Sequence, residues 1–363
     1  MDRETRLFAE NYFRSARGPL PGRVCPPPAR VDWIEKPESF SYADFFKGYL
    51  LPNVPCVFSS TFTEGWGSRR RWVTADGKPD FDHLLRNYGD VVVPVANCEL
   101  QEYNSNPKEH MPLRDYIGYW REHIQGGYAS PRGCLYLKDW HLCRKKWLLF
   151  PPGQEEALRD RHGSLPYDVT SPTLLDRRLH PKQEHCSPPL EVIQEAGEMI
   201  FVPSGWHHQV YNLEDTISIN HNWINGCNLA NMWHFLQQEL RLVQQEIVQW
   251  KDTMPDWHHH CQVIMKSCTG INFEEFYHFL KVIAERRLLI LAKSMDPVES
   301  KGSEVVELGP QQAAFDIGRI AEVLASVVVH PDFQRVDTSA CSPRPEELLQ
   351  QLEEAVATIA TSL

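Results

Sequence analysis

Residues 197–223 constrain the fold of this chain more than any other segment. A short apolar run, 199–202, leads into a Pro-Ser-Gly turn, and a second run after the turn carries the adjacent histidines His207 and His208. Residues 215–223 then alternate between polar and apolar side chains. Short runs of this kind, broken by tight turns, predict consecutive antiparallel strands. Dense antiparallel strands of this length are typical of small barrels and jelly rolls.

The rest of the sequence divides into a strand-rich part and a helical part. Alternating or apolar runs predict strands at about 54–58, 91–95, 134–137, 147–150, 191–194, 198–202, 206–212 and 216–223. Periodicity and capping residues predict helices at about 41–46, 80–88, 112–123, 228–250, 273–293, 311–329 and 345–359. Residues 164–189 read as a long loop, and residues 295–309 as a linker.

Composition excludes several classes of function. The 363 residues carry a net charge of −11, which argues against direct binding to nucleic acid or to an anionic membrane. No apolar run is long enough to span a bilayer, and the N-terminal residues lack the apolar core of a signal peptide. Ten cysteines occur without a CxxC pair, which favours reduced thiols and a location in the cytoplasm, or also the nucleus.

His208 is the first candidate for chemistry. Alternate side chains of a strand share a face, so His208, Val210 and Asn212 predict one face and His207 the other. A neutral imidazole is a good ligand for Fe(II), and two histidines with one carboxylate form the common non-haem iron site. The alternative is a core histidine that is hydrogen-bonded to backbone, and two adjacent histidines alone do not decide between them.

Two further polar features have more than one interpretation. Asn220 and Asn222 belong to a polar stripe that faces water on an outer sheet, or lines the cavity of a barrel that holds a polar cofactor. Lys145 and Lys146 open a predicted strand. A lysine that enters a barrel can pair with a carboxylate ligand, whereas a lysine pair on a solvated edge discourages aggregation.

Four segments together resemble a known family. They are residues 103–107, 134–142, 144–153 and 197–223. With these segments the chain resembles the jumonji-C family of Fe(II)- and 2-oxoglutarate-dependent oxygenases over nearly its whole length, including the helical tail. The fold of that family is a double-stranded β-helix, a cupin-type jelly roll.

The resemblance implies a mainly β fold with α-helical parts. It predicts an N-terminal mixed α/β part over residues 1–133, a jumonji-C-like barrel core that lacks a segment over 134–226, and a helical region over 227–363.

The resemblance also implies a site and a reaction. His208 matches the distal iron ligand, and Lys145 matches the lysine that pairs with the distal carboxylate of 2-oxoglutarate. Asn220 and Asn222 fall where polar residues of the cofactor cavity lie. The implied reaction converts 2-oxoglutarate to succinate and CO2 while a substrate C–H bond is hydroxylated. The implied substrate is a protein, the translation termination factor, and the implied target is one of its lysines.

The sequence departs from the family at the other two iron ligands. The family takes them from a His-x-Asp motif upstream of the lysine motif, but the one match in this chain, His330-Pro331-Asp332, lies far downstream and reads as a turn. The histidines at 258–260 are adjacent on a predicted helix and point in different directions. Residues 134–143 run directly into Arg144 where the family has a longer stretch, which indicates an internal deletion.

Three hypotheses follow. The chain belongs to a protein hydroxylase family, and its own turnover is absent or severely impaired because one histidine cannot hold catalytic iron well. Alternatively, it is a non-catalytic binding module or an unstable splice isoform. A third possibility is a cupin of another class, such as a metal isomerase or a sugar-binding barrel, which needs no lysine for 2-oxoglutarate.

Overall fold

The computed structural model describes residues 28–35, 37–100, 106–137, 141–142, 144–215, 217–295 and 309–362. The chain divides into two compact units, one ending at Asn222 and one running from Trp223 to the C-terminus. Among the described residues, no helix combines the length and the apolar character that crossing a membrane requires. The predicted linker at 295–309 falls almost entirely outside the described residues, and the domain boundaries given above stay predictions.

The first unit is built from short strands and short helices. Its strands are β1 (Asp32–Ile34), β2 (Cys56–Phe58), β3 (Val92–Asn97), β4 (Lys108–Pro112), β5 (Leu135–Leu137), β6 (His141–Leu142), β7 (Lys145–Phe150), β8 (Leu190–Gln194), β9 (Met199–Phe201), β10 (His207–Asn212) and β11 (Ile217–Ser218). Its helices are α1 (Tyr42–Phe45), α2 (Gly67–Arg71), α3 (Phe81–Tyr88), α4 (Leu113–Gln125) and α5 (Glu155–Leu158).

Two three-stranded sheets pack face to face in this unit. One has the order β10-β7-β8 and the other has the order β1-β2-β9. Leu149 of β7 and Val192 of β8 meet Val57 of β2 in a buried apolar cluster that also contains Trp206. Because paired residues in an antiparallel ladder share a face, this cluster identifies the inner face of the β10-β7-β8 sheet.

A second core lies under the β4-β3-β5 sheet. Val93 and Val95 of β3 pack there against Ile117 of α4, and the hydroxyl group of Tyr119 donates to the carbonyl of Gly133 at 2.9 Å. β4 is a polar segment with a terminal proline, and it was not predicted from the sequence. It forms because it pairs along β3 from Ala96 to Val92, so the partner strand decides its conformation.

The second unit is helical. It contains α6 (Leu229–Glu246), α7 (Trp257–Thr269), α8 (Phe273–Met295), α9 (Pro310–Val328) and α10 (Pro345–Ser362). The helices share one apolar core in which Leu236, Met265 and Leu280 are fully buried. α8 begins as predicted at Asn272, whose side-chain oxygen accepts from the backbone N–H of Glu275 at 3.0 Å.

The strand predicted at 216–223 is wrong in its extent. Only Ile217 and Ser218 form β11, where they pair with Leu142 and His141 of β6. The alternation of side chains predicts a strand, but the extent of a strand depends on its pairing partner. In the described part of the structure, residues 219–222 form no ladder with another strand.

Candidate metal centre

A tight turn positions the histidine-bearing strand. Gly205 has φ = +78°, which favours a residue without a Cβ atom, and the turn delivers Trp206 into the inner core. The indole N–H of Trp206 donates to the backbone carbonyl of Asn53 at 2.8 Å, and the side-chain amide of Asn53 donates to the carbonyl of Ser204 at 3.0 Å. These two bonds fix the start of β10 and hence the direction of the side chains that follow.

His208 lies on the same face of its sheet as the inner core, as the alternation predicted, and its side chain is exposed. It is paired with Leu149 of β7, a residue of the inner core, and its ring centroid lies 5.6 Å from that of Trp147. Its Nδ1 atom lies 2.9 Å from the carbonyl oxygen of Trp206. A carbonyl only accepts, so Nδ1 carries the proton and Nε2 keeps a lone pair that can bind a cation.

His207 lies on the opposite face. Its Nδ1 atom is 3.8 Å from Glu155 Oε2, and the neighbouring outward residues Gln209 and Tyr211 contact Asp168. Hydrogen bonds, first from Gln209 and then from Thr170, lower the pKa of the Asp168 carboxyl group. The outer face therefore carries polar contacts of its own, and the two adjacent histidines cannot bind one metal ion together.

Lys145 is buried on the same inner face as His208. Only 5% of it is exposed, and its neighbours across the ladders are Asn212 of β10 and Gln194 of β8. It lies four residues along β7 from the partner of His208, which is about 13 Å. Lys146 points the other way and forms an ion pair with Glu191 at 2.8 Å. Lys145 therefore does not lie on a solvated edge, which was the alternative that the sequence left open.

The sequence analysis missed two more residues of the inner face, Gln194 and Trp147. Gln194 is 9% exposed and accepts a hydrogen bond from the indole N–H of Trp147 at 2.9 Å, while its own amide donates to the carbonyl of Glu198 at 2.8 Å. Trp147 lies between His208 and Lys145 on this face, and Gln194 lies beside Lys145. Extending the alternation from β10 to β7, and from β7 to its other partner β8, would have found both, but the strand pairing is not visible in the sequence.

Asn220 and Asn222 are exposed and lie beyond the end of β11. The structure therefore does not bring them to the inner face with His208 and Lys145. Their assignment to a cofactor cavity stays a prediction from the family resemblance.

The donor set that the described residues place around His208 does not fit an iron ion, because no group of three His, Cys, Asp or Glu side chains among them could hold a metal. Residues 138–140 and 143 lie outside the described part of the chain. His330 and Asp332 form a turn in the second unit, as predicted, and the backbone N–H of Asp332 donates to His330 Nδ1 at 3.2 Å. The Nδ1 atom of His258 lies 3.0 Å from Asp332 Oδ1, so His258 does not point in the same direction as its neighbour His259.

A cavity of about 410 Å³ opens elsewhere in the first unit. It is lined by α4, by β5, by residues 212–215 and by Ile217, and neither His208 nor Lys145 contributes to it. Asp215 accepts there from the indole N–H of Trp120 at 2.9 Å and from the hydroxyl group of Tyr128 at 2.7 Å. The cavity therefore lies beside the predicted cofactor face and meets it at Asn212, the partner of Lys145 across the ladder.

Comparison with known proteins decides the family. A model of the cupin-like domain matches residues 143–228, the segment that contains β7 to β11. The chain is 63% identical to the mouse protein named 2-oxoglutarate and iron-dependent oxygenase JMJD4, and the similarity covers 98% of this chain and 99% of the mouse protein. The chain belongs to the JMJD4 family of 2-oxoglutarate and iron-dependent oxygenases. The predicted jelly roll followed by a helical region is confirmed.

Other members of the JMJD4 family give the same picture. The human protein is 62% identical over 98% of this chain and 99% of its own length, and the chicken protein is 49% identical over 99% of both. The alignments with the mouse and human proteins span 423 and 418 positions, but this chain has 363 residues. At least 60 and 55 aligned positions, respectively, therefore have no residue in this chain.

Proposed function

We propose that this chain is a form of a protein lysyl hydroxylase, dependent on Fe(II) and 2-oxoglutarate, whose iron site is incomplete and whose turnover is absent or severely impaired. The substrate would be a lysine of the translation termination factor, as the jumonji-C resemblance implies. That substrate agrees with a protein that acts in the cytoplasm, where translation terminates.

The observation that carries this proposal is that His208 shares a face with Lys145 but has no further metal ligands among the described residues. His208 and Lys145 share the inner face of one sheet, and the tautomer of His208 leaves Nε2 available. In the family, a His-x-Asp motif upstream of the lysine motif supplies the remaining donors. Within the described residues, no histidine and carboxylate complete a set with His208.

The start of the family match supports a deletion between Cys143 and Arg144. The cupin-like match begins at residue 143, so the part of the barrel that precedes it in the chain is not matched by the family model. The mouse relative has at least 60 aligned positions that this chain lacks, enough for several strands of average length. β6 and β7 lie on either side of the junction.

Iron and 2-oxoglutarate would supply the oxidising chemistry in an intact relative. In this chain, Lys145 can still offer a buried cation to a carboxylate, and His208 can still offer one nitrogen. A single neutral imidazole binds Fe(II) only weakly, because affinity depends on the full set of ligands and on the groups that orient them.

The experiment is a hydroxylation assay read by mass spectrometry. A lysine-containing peptide of the termination factor is incubated with Fe(II), 2-oxoglutarate and either this chain or the human relative. We expect the human relative to add one oxygen atom to the peptide and this chain to add none above a chain with His208→Ala. A gain of one oxygen that depends on 2-oxoglutarate and on His208 would overturn the proposal.

A non-catalytic binding role is the second candidate. The helical unit supports it, because its core is complete without the barrel: Trp233, Phe276 and Leu324 are buried together with side chains from five helices. If the chain binds the same protein substrate as the human relative without modifying it, a pull-down with the unmodified termination factor will retain both proteins. Retention of the human relative alone would exclude this role.

A further inference from the structure

The end of the β3–β5 ladder brings two cysteines together. The register pairs Val95 with Leu137, Ala96 with Tyr136 and Asn97 with Leu135. Its next step places Cys98 opposite Cys134, and the backbone N–H of Cys98 donates to the carbonyl oxygen of Cys134 at 2.9 Å. The two residues are 36 positions apart in the sequence and carry no recognisable spacing motif.

The geometry of this pair suits a reversible disulfide. Residues that lie opposite each other in an antiparallel ladder have Cα atoms about 4.5–5.5 Å apart and side chains on the same face. Disulfides span Cα separations of about 4.4–6.8 Å. Cys98 lies in the turn after β3, and Cys134 follows Gly133, whose φ is +73°. Both positions stand outside the regular ladder, where the backbone can adjust.

We propose that Cys98 and Cys134 form a redox-active cross-strand disulfide, made by thiol–disulfide exchange with a small disulfide such as oxidised glutathione. In the first step, the thiolate of Cys134 attacks the glutathione disulfide, which forms a mixed disulfide and releases one glutathione thiolate. In the second step, the Cys98 thiol loses its proton and attacks Sγ of Cys134, which releases the second glutathione. Two protein thiols are oxidised, and one glutathione disulfide is reduced to two thiols.

Exposure decides the order of these steps. Cys134 is exposed, whereas Cys98 is partly buried. Burial first, and then the neighbouring Cys134 and Glu99, raise the pKa of the Cys98 thiol to about 11. Cys134 is therefore the thiol that meets the oxidant, and Cys98 resolves the mixed disulfide. The bond would tie β3 to β5 beside the cavity that Cys134 lines.

Trypsin separates the two cysteines for a direct test. Cleavage after Arg86 and Lys108 places Cys98 in one peptide, and cleavage after Arg132 and Lys138 places Cys134 in another. The full chain is equilibrated with reduced and oxidised glutathione in native buffer and, separately, in urea. Remaining thiols are then alkylated, and linked peptides are quantified by mass spectrometry.

In native buffer we expect a linked pair of peptides 87–108 and 133–138, lighter by two hydrogen atoms than the two together, at several times its abundance in urea. Cys98→Ser should remove the link and leave glutathione on Cys134. Cys134→Ser should leave Cys98 unmodified. A link that is no more abundant in native buffer than in urea would overturn the proposal, and so would a wild-type chain that retains glutathione on Cys134 without linking.

A matched pair in the helical unit controls for unspecific oxidation. Cys261 and Cys268 are seven residues apart on α7, so about 10 Å of helix rise separates them and no disulfide can bridge them in the native fold. Each lies in its own tryptic peptide. In native buffer, their link should be absent while the link between Cys98 and Cys134 forms. Equal amounts of both links would contradict the assigned geometry.

Discussion

His208 can serve as a ligand because its other ring nitrogen already has a partner. The carbonyl of Trp206 holds Nδ1 at 2.9 Å, and a metal-binding histidine usually has such an acceptor behind it. The same contact also satisfies a histidine that binds nothing. The tautomer is therefore necessary for the proposed role, and the missing donors decide whether the role can be fulfilled in this chain.

Lys145 is the residue whose replacement tests the 2-oxoglutarate face. A charge-assisted hydrogen bond contributes about 1.5–3 kcal/mol, so Lys145→Met should weaken 2-oxoglutarate binding at least about tenfold in a chain with a complete barrel. Binding is measured by calorimetry. Lys146→Met is the control, because Lys146 pairs with Glu191 on the outer face and should leave binding unchanged. Equal affinities of the Lys145 variant and the parent would remove Lys145 from the site.

His330 makes the stability of the chain depend on pH. Its ring packs against the rings of Trp233 and Phe273, at centroid distances of 5.6 and 5.1 Å, and burial lowers its pKa below the ordinary value of 6.5. The unfolded chain therefore binds this proton more tightly. This contribution to stability is complete above pH 6.5 and is lost as the pH falls below that value.

The corresponding experiment is a series of melting temperatures between about pH 7.5 and pH 5.5. The wild-type chain should lose more of its melting temperature over this range than the variant His330→Asn. Asparagine cannot titrate and keeps an acceptor for the N–H of Asp332. Parallel curves for the two proteins would show that His330 is not the group responsible.

At the level of elements, β7 holds the first unit together. It is the central strand between β10 and β8, and it gives Leu149 to the inner core. In the described part of the chain, β10 pairs with β7 alone, so one edge of the sheet beside His208 lies open. Open edges invite pairing with other chains, and we expect the protein to self-associate as its concentration rises.

Leu149 offers a quantitative test of this packing. It is fully buried, so Leu149→Ala should lower the free energy of unfolding by about 2–5 kcal/mol in urea titrations. Leu175→Ala is the control, since Leu175 is 75% exposed in the same unit and its change should stay within about 0.5 kcal/mol. Similar small effects of both substitutions would mean that the two sheets are not packed as described.

Local sequence patterns correctly predicted the features that depend only on neighbouring residues. The alternation in β10 placed His208 and His207 on opposite faces, and the cap at Asn272 located the start of α8. The strand at 216–223 failed because its length depends on β6, a partner 75 residues earlier in the chain. Gln194 was missed for the same reason, since only the pairing of β8 with β7 places it beside Lys145.

For the molecule as a whole, the helical unit has a complete core, whereas the barrel unit has only part of the site expected for the family. The helical unit has a continuous core and a partly buried ion pair, Arg287 with Asp316. The carboxylate of Asp316 also accepts from the backbone N–H of Gly226. The barrel unit contains a histidine and a lysine on one face of a sheet, in a chain that has no residue at 60 or more of the positions aligned with its mouse relative. A loss confined to the barrel would remove catalysis and leave the helical unit intact.

The most direct test of this account restores the missing segment. The residues of the human relative that align with the gap are inserted between Cys143 and Arg144, and succinate release from 2-oxoglutarate is measured with Fe(II) and substrate peptide. The account predicts no release from the present chain, release from the extended chain, and none from the extended chain with His208→Ala. Succinate release from the present chain at the rate of the human relative would contradict it.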